Sequence, residues 1–144
     1  MRQRFLTFNS CDLDRLLLET RTCFFPQIDL PVQWEFQDAP TLARLICDDS
    51  SALIIIHQVL NHSDTPPEVF SMIFKHELLH LSFRDQATEW ETPHSPIFWE
   101  AEKRITPELG FAWDWIRSSL RSCIRFDKQA EQTKVTKRWK RLMT

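Results

Sequence analysis

The chain has 144 residues, of which 42% are hydrophobic and 26% charged, a composition typical of one globular domain with a single buried core. Its formal net charge of −2 provides no overall attraction to nucleic acid or to an anionic membrane. Because the sequence has a single glycine, Gly110, it lacks a glycine-rich phosphate loop, which argues against nucleotide and dinucleotide binding.

The N-terminal part of the chain is predicted to form one helix followed by three strands. Ser10 is a suitable N-cap for a helix over residues 11–22, where leucines recur at helical spacing. Val32–Gln37 alternates apolar and polar residues, which predicts a half-buried strand. Residues 42–47 are predicted to form a second short strand, and the isoleucine-rich run Ala52–His57 a more buried one.

The remainder of the domain is predicted to be helical. Asp64 or Thr65 could cap a long helix over Pro67–Phe83, whose first turn contains proline and an acidic residue. Ser95 and Pro96 provide a second start signal of the same kind. The predicted elements after the long helix are a polar loop at residues 84–93, a helix over 95–104 and a last core helix over 107–126.

These elements predict a single α+β domain over residues 1–126, in which a sheet of about three strands packs against an N-terminal helix, the long helix and two C-terminal helices. Residues 127–144 form a basic tail with six basic and two acidic side chains, a net +4 that leaves −6 for the rest of the chain. The spacing of Val135, Trp139 and Leu142 favours a helix in this tail. The tail could bind nucleic acid, dock a partner, fold back over the domain or remain a solvated basic helix.

The sequence gives no indication of a membrane segment. No apolar run is long enough to span a bilayer, and no secretory signal follows the basic residues at the start. The cysteines are scattered and form no Cys-x-x-Cys pair, so we expect reduced thiols in a cytoplasmic protein without a membrane partner. The sequence does not specify the oligomeric state. The four cysteines are Cys11, Cys23, Cys47 and Cys123.

The run His76-Glu77-Leu78-Leu79-His80 lies inside the predicted long helix. Two histidines four residues apart share one face of a helix, so both imidazoles can reach one metal ion. Zinc is the usual ion of such a site, and Glu77 would then activate a zinc-bound water as the catalytic base of peptide hydrolysis. The simpler interpretation is two partly exposed histidines on an amphipathic helix.

A catalytic zinc ion needs a third protein ligand and one open position. His94 follows His80 by 14 residues, just before a predicted helix, and Glu100 follows by 20 residues, inside that helix. Imidazole suits zinc, but the spacing of the residues leaves both candidates open.

The segment that begins at Ile54 and runs into the histidine motif resembles the core of SprT-like and related small gluzincin-type zinc metallopeptidases. In that group a strand and a proline-led loop precede the zinc helix, as Ala52–His57 and the prolines before Pro67–Phe83 do here. The continuation from His94 through Phe98 and Trp99 is similar to the downstream His-x-x-x-Phe motif of the group. The resemblance covers roughly residues 53–115.

The resemblance implies a zincin-like fold, one zinc ion per chain, a polypeptide substrate and endopeptidase activity. His76, His80 and His94 would be the zinc ligands, with Glu77 as the base. Glu100 keeps a rival position, because its spacing from His80 is similar to the thermolysin-type pattern, in which a glutamate on a following helix is the third ligand. The match of Phe98 and Trp99 to the histidine version favours His94.

The sequence departs from the group in two ways. Longer SprT-like proteins often carry a cysteine zinc ribbon, which is absent here, and the lack of tyrosine rules out a tyrosine that stabilises the oxyanion. His57, His62 or Arg84 could assist instead. Trp90 could line a substrate cleft, and Ala52–His57, if it were an edge strand, could pair with an extended peptide.

Two other functions remain compatible with the sequence. The chain could be a non-peptidase that keeps the fold and binds metal or a partner. It could also be a latent peptidase that is blocked by its own basic tail.

Overall fold

The computed structural model describes residue 7 and residues 9–84 and 94–142. Within these ranges the chain is a mixed α+β structure with five α-helices, one 3₁₀ helix, a three-stranded sheet and a two-stranded sheet. The elements are α1 (Leu13–Phe24), β1 (Val32–Gln37), β2 (Ala43–Cys47), β3 (Ala52–His57), the 3₁₀ helix Gln58–Leu60, α2 (Pro67–Phe83), α3 (Pro96–Ile105), α4 (Leu109–Ser119), β4 (Ile124–Asp127), β5 (Gln132–Val135) and α5 (Trp139–Leu142).

The larger sheet has the order β1-β3-β2. β3 pairs in parallel with β1, from Val32 opposite Ala52, and in antiparallel with β2, from Ala43 opposite Ile56. All six residues of β3 are buried. A continuous apolar run needs cover on both faces, and here the strand also has a neighbour on each side. The bounds predicted for β1 and β3 are therefore confirmed, but the idea that β3 is an edge strand is wrong.

The long helix α2 lies at the centre of the core. Its predicted bounds are confirmed, and it is apolar on most of its circumference, as expected for a helix covered on several sides. It contacts α1, α3, α4 and strand β2. The predicted caps are wrong, since Pro66 occupies the N-cap position without a side-chain hydrogen bond. The hydroxyl of Thr65 instead donates to the carbonyl of Leu60 at 2.9 Å.

The first helix begins two residues later than predicted. Asp12 is its N-cap, and its Oδ1 accepts a hydrogen bond from the backbone N–H of Arg15 at 3.1 Å. Ser10 lies outside the helix. The helix packs through its buried side chains Leu13 and Leu17.

Helix α3 begins as predicted. Ser95 is its N-cap, with Oγ accepting from the N–H of Phe98 at 3.3 Å, and Pro96 occupies the first turn. Helix α4 is shorter than predicted, because it ends at Ser119 instead of near residue 126.

The C-terminal residues form a hairpin of β4 and β5 where a helix was predicted. The hairpin is joined to the chain just before β2: the N–H of Leu42 donates to Thr133 at 3.0 Å, and the N–H of Val135 donates to Pro40 at 2.9 Å. These bonds outweigh the helical propensity of the segment. Among the described residues 127–142 of the tail, only those of α5 are helical. The domain boundary predicted after residue 126 falls inside β4.

Residues of the hairpin and of α5 pack against the core. The indole ring of Trp139 contacts the buried imidazole of His57 edge-on, with ring centres 5.0 Å apart. Ile124, Val135 and Trp139 are partly buried against the core. Among the described residues, no helix has the length and apolar character needed to cross a membrane.

The capping of α1 allows a direct test. Asp12→Ala should lower the free energy of unfolding by about 1 kcal/mol, because the N-terminal amides of the helix lose their side-chain acceptor. Ser10→Ala is the matched control and should change it by less than about 0.5 kcal/mol. Urea denaturation of both variants measures the difference, and a larger effect at Ser10 would contradict the observed cap.

Candidate metal centre

Helix α2 places His76 and His80 on the same face, one turn apart. Their ring centres are 4.7 Å apart, and the two Nε2 atoms are separated by 3.1 Å. Both rings are partly buried. The i, i+4 spacing of the sequence therefore produces two imidazoles that converge on one point.

His94 completes the arrangement from just before helix α3. Its Nε2 lies 2.9 Å from Nε2 of His80 and 3.2 Å from Nε2 of His76. These are the three residues in the described part of the chain whose ligand atoms come together as a potential metal-binding group. The three histidines predicted as ligands are thus in one cluster.

The geometry of this histidine cluster fits a metal ion. A tetrahedral site with metal–nitrogen bonds of about 2.0–2.1 Å requires ligand nitrogens about 3.3 Å apart. The observed separations of 2.9–3.2 Å are close to this value. Three histidine side chains also leave a fourth position of a tetrahedral ion free for another ligand.

The aromatic ring of Phe98 contacts all three histidines. Its centre lies 4.4 Å from that of His80, in a stacked arrangement, and 5.2 and 5.3 Å from those of His76 and His94. Trp99 stacks on His94 at 5.0 Å. Phe98 is fully buried, so its ring packs against the three imidazoles and restricts their movement.

Carboxylates contact the outer nitrogens of two of the rings. Glu102, which is almost fully buried on α3, hydrogen bonds to Nδ1 of His76. Glu131, in the turn between β4 and β5, has an oxygen 3.6 Å from Nδ1 of His94. A carboxylate on Nδ1 favours the tautomer whose Nε2 lone pair is free to bind a metal.

Burial is the main cause that lowers the pKa of two of the three histidines. Burial, together with the neighbouring His76 and His94, lowers the pKa of His80 to about 3. Burial and His76 also lower the pKa of His94. Burial acts to lower the pKa of His76 as well, but its hydrogen bond to Glu102 and the charge of Glu77 outweigh it, so the pKa is raised. Neutral imidazole is the form that binds metals.

Glu77 is buried beside the cluster but does not belong to the set of potential ligands. Burial raises its pKa to about 6, the charge of Glu102 acts in the same direction, and that of His76 opposes them. Glu77 therefore lies next to His76 and outside the donor set, and its role as a base stays a prediction.

Glu100, the rival third ligand, lies on the outer face of α3. Its side chain is 77% exposed, and its carboxylate is 3.9 Å from the guanidinium of Arg104. The alternative that Glu100 completes the site is therefore not supported by the geometry.

The other residues considered as assistants have partners elsewhere. His57 is buried and accepts from the N–H of Val59 at 2.9 Å, and burial lowers its pKa to about 4. His62 accepts from the N–H of Asp64 at 3.1 Å. The guanidinium of Arg84 donates to the carbonyl of Asp48. Trp90, proposed as a cleft residue, and residues 85–93 of the loop predicted at residues 84–93 lie outside the described residues.

The sequence reasoning missed Glu102 and Glu131. Glu102 follows Phe98 by four residues on α3, so it shares the buried face of that helix, and a glutamate on a buried face is itself a signal of a partner. Glu131 could not be found in this way, because the hairpin that carries it was not predicted.

A buried ion pair fixes α2 against the segment that begins α4. Nζ of Lys75 lies 2.6 Å from Oε1 of Glu108, which also accepts from the hydroxyl of Ser71 at 3.0 Å. Lys75 precedes His76, so this contact holds the backbone of the metal-binding turn.

Comparisons with known proteins give no assignment: no protein-family model, no curated protein and no solved structure matches this chain. The resemblance to SprT-like peptidases therefore depends on the sequence motif alone.

The cluster predicts the metal content of variants. Purified protein should contain about one zinc ion per chain, and His76→Ala, His80→Ala and His94→Ala should each lose it, because the site then keeps only two ligands. Elemental analysis after dialysis against metal-free buffer gives the stoichiometry.

Glu100→Gln is the control for this measurement and should retain zinc. If Glu100→Gln lost the metal while His94→Ala kept it, the assignment of the third ligand would be reversed.

Proposed function

We propose that this protein is a zinc-dependent metallopeptidase with a zincin-like fold, similar to the SprT-like group. The observation that supports the proposal is the convergence of three Nε2 atoms within 3.2 Å of one another beside a buried, non-ligating glutamate. The segment before the site also agrees with the resemblance, because the buried strand β3 and a proline-led loop precede α2.

Zinc is the proposed ion because its usual catalytic sites combine three protein ligands, often imidazoles, with one open position. His76, His80 and His94 would hold it. When bound, zinc would supply Lewis acidity, polarising a peptide carbonyl and lowering the pKa of a water molecule toward 7.

Glu77 is the proposed general base. Its carboxylate would accept a proton from the attacking water as the new C–O bond forms at the carbonyl carbon. It would then return the proton to the nitrogen of the departing amine, so that the peptide C–N bond breaks in the second step. Phe98 and Glu102 would keep the imidazoles in place during this reaction. No tyrosine is available to stabilise the oxyanion, because the sequence contains none.

Strand β2 is the proposed partner for an extended peptide. In the part of the chain that the structure describes, β2 lies at the edge of the three-stranded sheet, pairs with β3 along one side and contacts α2, with the bridge of Thr41 to Lys134 just before its first residue. Backbone hydrogen bonds to a free strand edge hold a peptide with little sequence preference. Strand β3 is unable to take this role because both of its edges are paired.

A latent peptidase is the second candidate. The contact that bears on it is the 3.6 Å approach of Glu131, in the C-terminal hairpin, to His94. That contact is made to Nδ1, whereas the three Nε2 atoms define the metal-binding point, which favours support of the ring over blockade of the ion.

Glu77→Gln separates metal binding from hydrolysis. The variant should retain zinc but lose cleavage of an unfolded protein substrate by at least about 100-fold, because the amide is unable to accept the proton. Fluorescent casein hydrolysis measures the rate, and equal cleavage by both proteins would identify the activity as a contaminant.

If wild type and Glu77→Gln both hold zinc and neither cleaves, truncation distinguishes the remaining functions. A cut near residue 127 would remove β5 and its bonds to residues 40–42. A cut after Thr136 keeps the hairpin and Glu131 and removes α5 alone, so it is paired with a cut before β5 that also removes the contact of Glu131 with His94. Activity that appears on truncation supports latency, and continued inactivity supports a metal-binding scaffold.

A further inference from the structure

The turn of the C-terminal hairpin reaches the metal centre from a distant part of the sequence. Glu131 is 37 residues after His94, yet its carboxylate lies 3.6 Å from Nδ1 of that ring. The side chain of His94 is 12% exposed and that of Glu131 is 44% exposed. The contact therefore lies at the boundary between the cluster and solvent, slightly longer than a hydrogen bond.

Of the three histidines, His94 needs external support most. His76 and His80 are fixed by the backbone of a buried helix, but His94 precedes α3 and is outside any regular element. Its ring is held on one face by Trp99 and at its edge by Phe98. Ring stacking restricts the tilt of an imidazole but does not select which nitrogen carries the proton. A negative charge beside Nδ1 makes that selection.

The backbone at Glu131 has a conformation that is unfavourable for a residue with a side chain. Its φ of 49° is the only positive value among the non-glycine residues that the structure describes. Glycine adopts this conformation without strain, whereas a residue with a Cβ does so rarely. Replacing Glu131 with glycine should therefore relieve backbone strain in the turn.

The hairpin is held firmly enough to place this carboxylate. Oδ2 of Asp127 is 2.9 Å from Nζ of Lys134, and its Oδ1 accepts from the N–H groups of Gln129 and Ala130. The backbone bonds to Pro40 and Leu42 join β5 to the chain that leads into β2. The turn is thus connected to the same sheet that supports α2.

We propose that Glu131 is a positioning residue of the metal centre, whose carboxylate holds the imidazole of His94 with Nε2 directed toward the ion. Glu131 would act on His94 through its charge at 3.6 Å, whereas Glu102 acts on His76 through a hydrogen bond. The proposal depends on metal binding by the histidine cluster, which is the first part of the proposed function, but not on peptide hydrolysis.

Glu131→Gly should weaken zinc binding without lowering the melting temperature of the metal-free protein. The affinity for zinc alone, measured by competition with a chelator, should fall about 10–100-fold, as is typical when a carboxylate behind a ligating histidine is lost. The melting temperature of the metal-free protein should stay the same or rise, because glycine relieves the backbone strain. A purely structural role of Glu131 predicts a decrease in the melting temperature instead.

Three further variants isolate the carboxylate. Glu131→Gln keeps the shape of the side chain and should also weaken zinc binding, and the visible spectrum of its Co²⁺ form should differ from wild type. Ala130→Gly changes the same turn without changing charge, and Glu100→Gln removes a carboxylate from the exposed face of α3. Both controls should bind zinc as tightly as wild type.

Each outcome decides a separate question. Wild-type zinc affinity in both Glu131 variants would overturn the positioning role while leaving the metal site intact. A decrease in affinity accompanied by a lower melting temperature of metal-free Glu131→Gly would also overturn it. Absence of zinc from the wild-type protein would overturn the site and this role together. Zinc binding without peptide cleavage would overturn only the peptidase function.

Discussion

The structure depends on burying the apolar side chains of α2, which occupy most of the surface of that helix. The helix is apolar around most of its circumference, and the sheet and three other helices pack around it. Each fully buried aliphatic or aromatic side chain contributes about 1.5–3 kcal/mol, so this cover provides much of the stability of the domain. The same cover makes polar groups on α2 costly unless they are paired. His76 and His80 therefore have partners, in Glu102 and His94 respectively, and the pairing of Lys75 with Glu108 follows the same constraint.

The site is built in layers around the two histidines of α2. His94 provides a third nitrogen, Phe98 packs under all three rings, and Glu102 and Glu131 contact outer nitrogens. The two histidines of α2 have a local sequence pattern, and His94 with Phe98 matches a second motif. The contacts of Glu102 and Glu131 depend on how α3 and the hairpin dock, which is decided by tertiary contacts.

The predictable elements are those with strong local signals. The alternation in β1, the aliphatic run of β3, and the prolines that begin α2 and α3 gave bounds that agree with the structure, because burial and chain stereochemistry act there within a few residues. The hairpin was missed because Ile124–Asp127 has no glycine turn to mark it, and because its stability comes from pairing with residues 40–42, more than 80 positions away. The order of the strands was also beyond local reasoning, since an isoleucine-rich segment suits either a central strand or a covered edge.

The position of His94 just before α3 has a mechanical consequence. An ion held jointly by His80 and His94 would connect two points of the chain that are 14 residues apart. Such a connection is a cross-link that lowers the conformational entropy of the unfolded chain. For a loop of about 15 residues, this entropy loss stabilises the folded state by about 3 kcal/mol in the simplest treatment. A metal at this site would thus act as a cross-link between the central helix and the C-terminal half of the domain, in addition to any chemistry it performs.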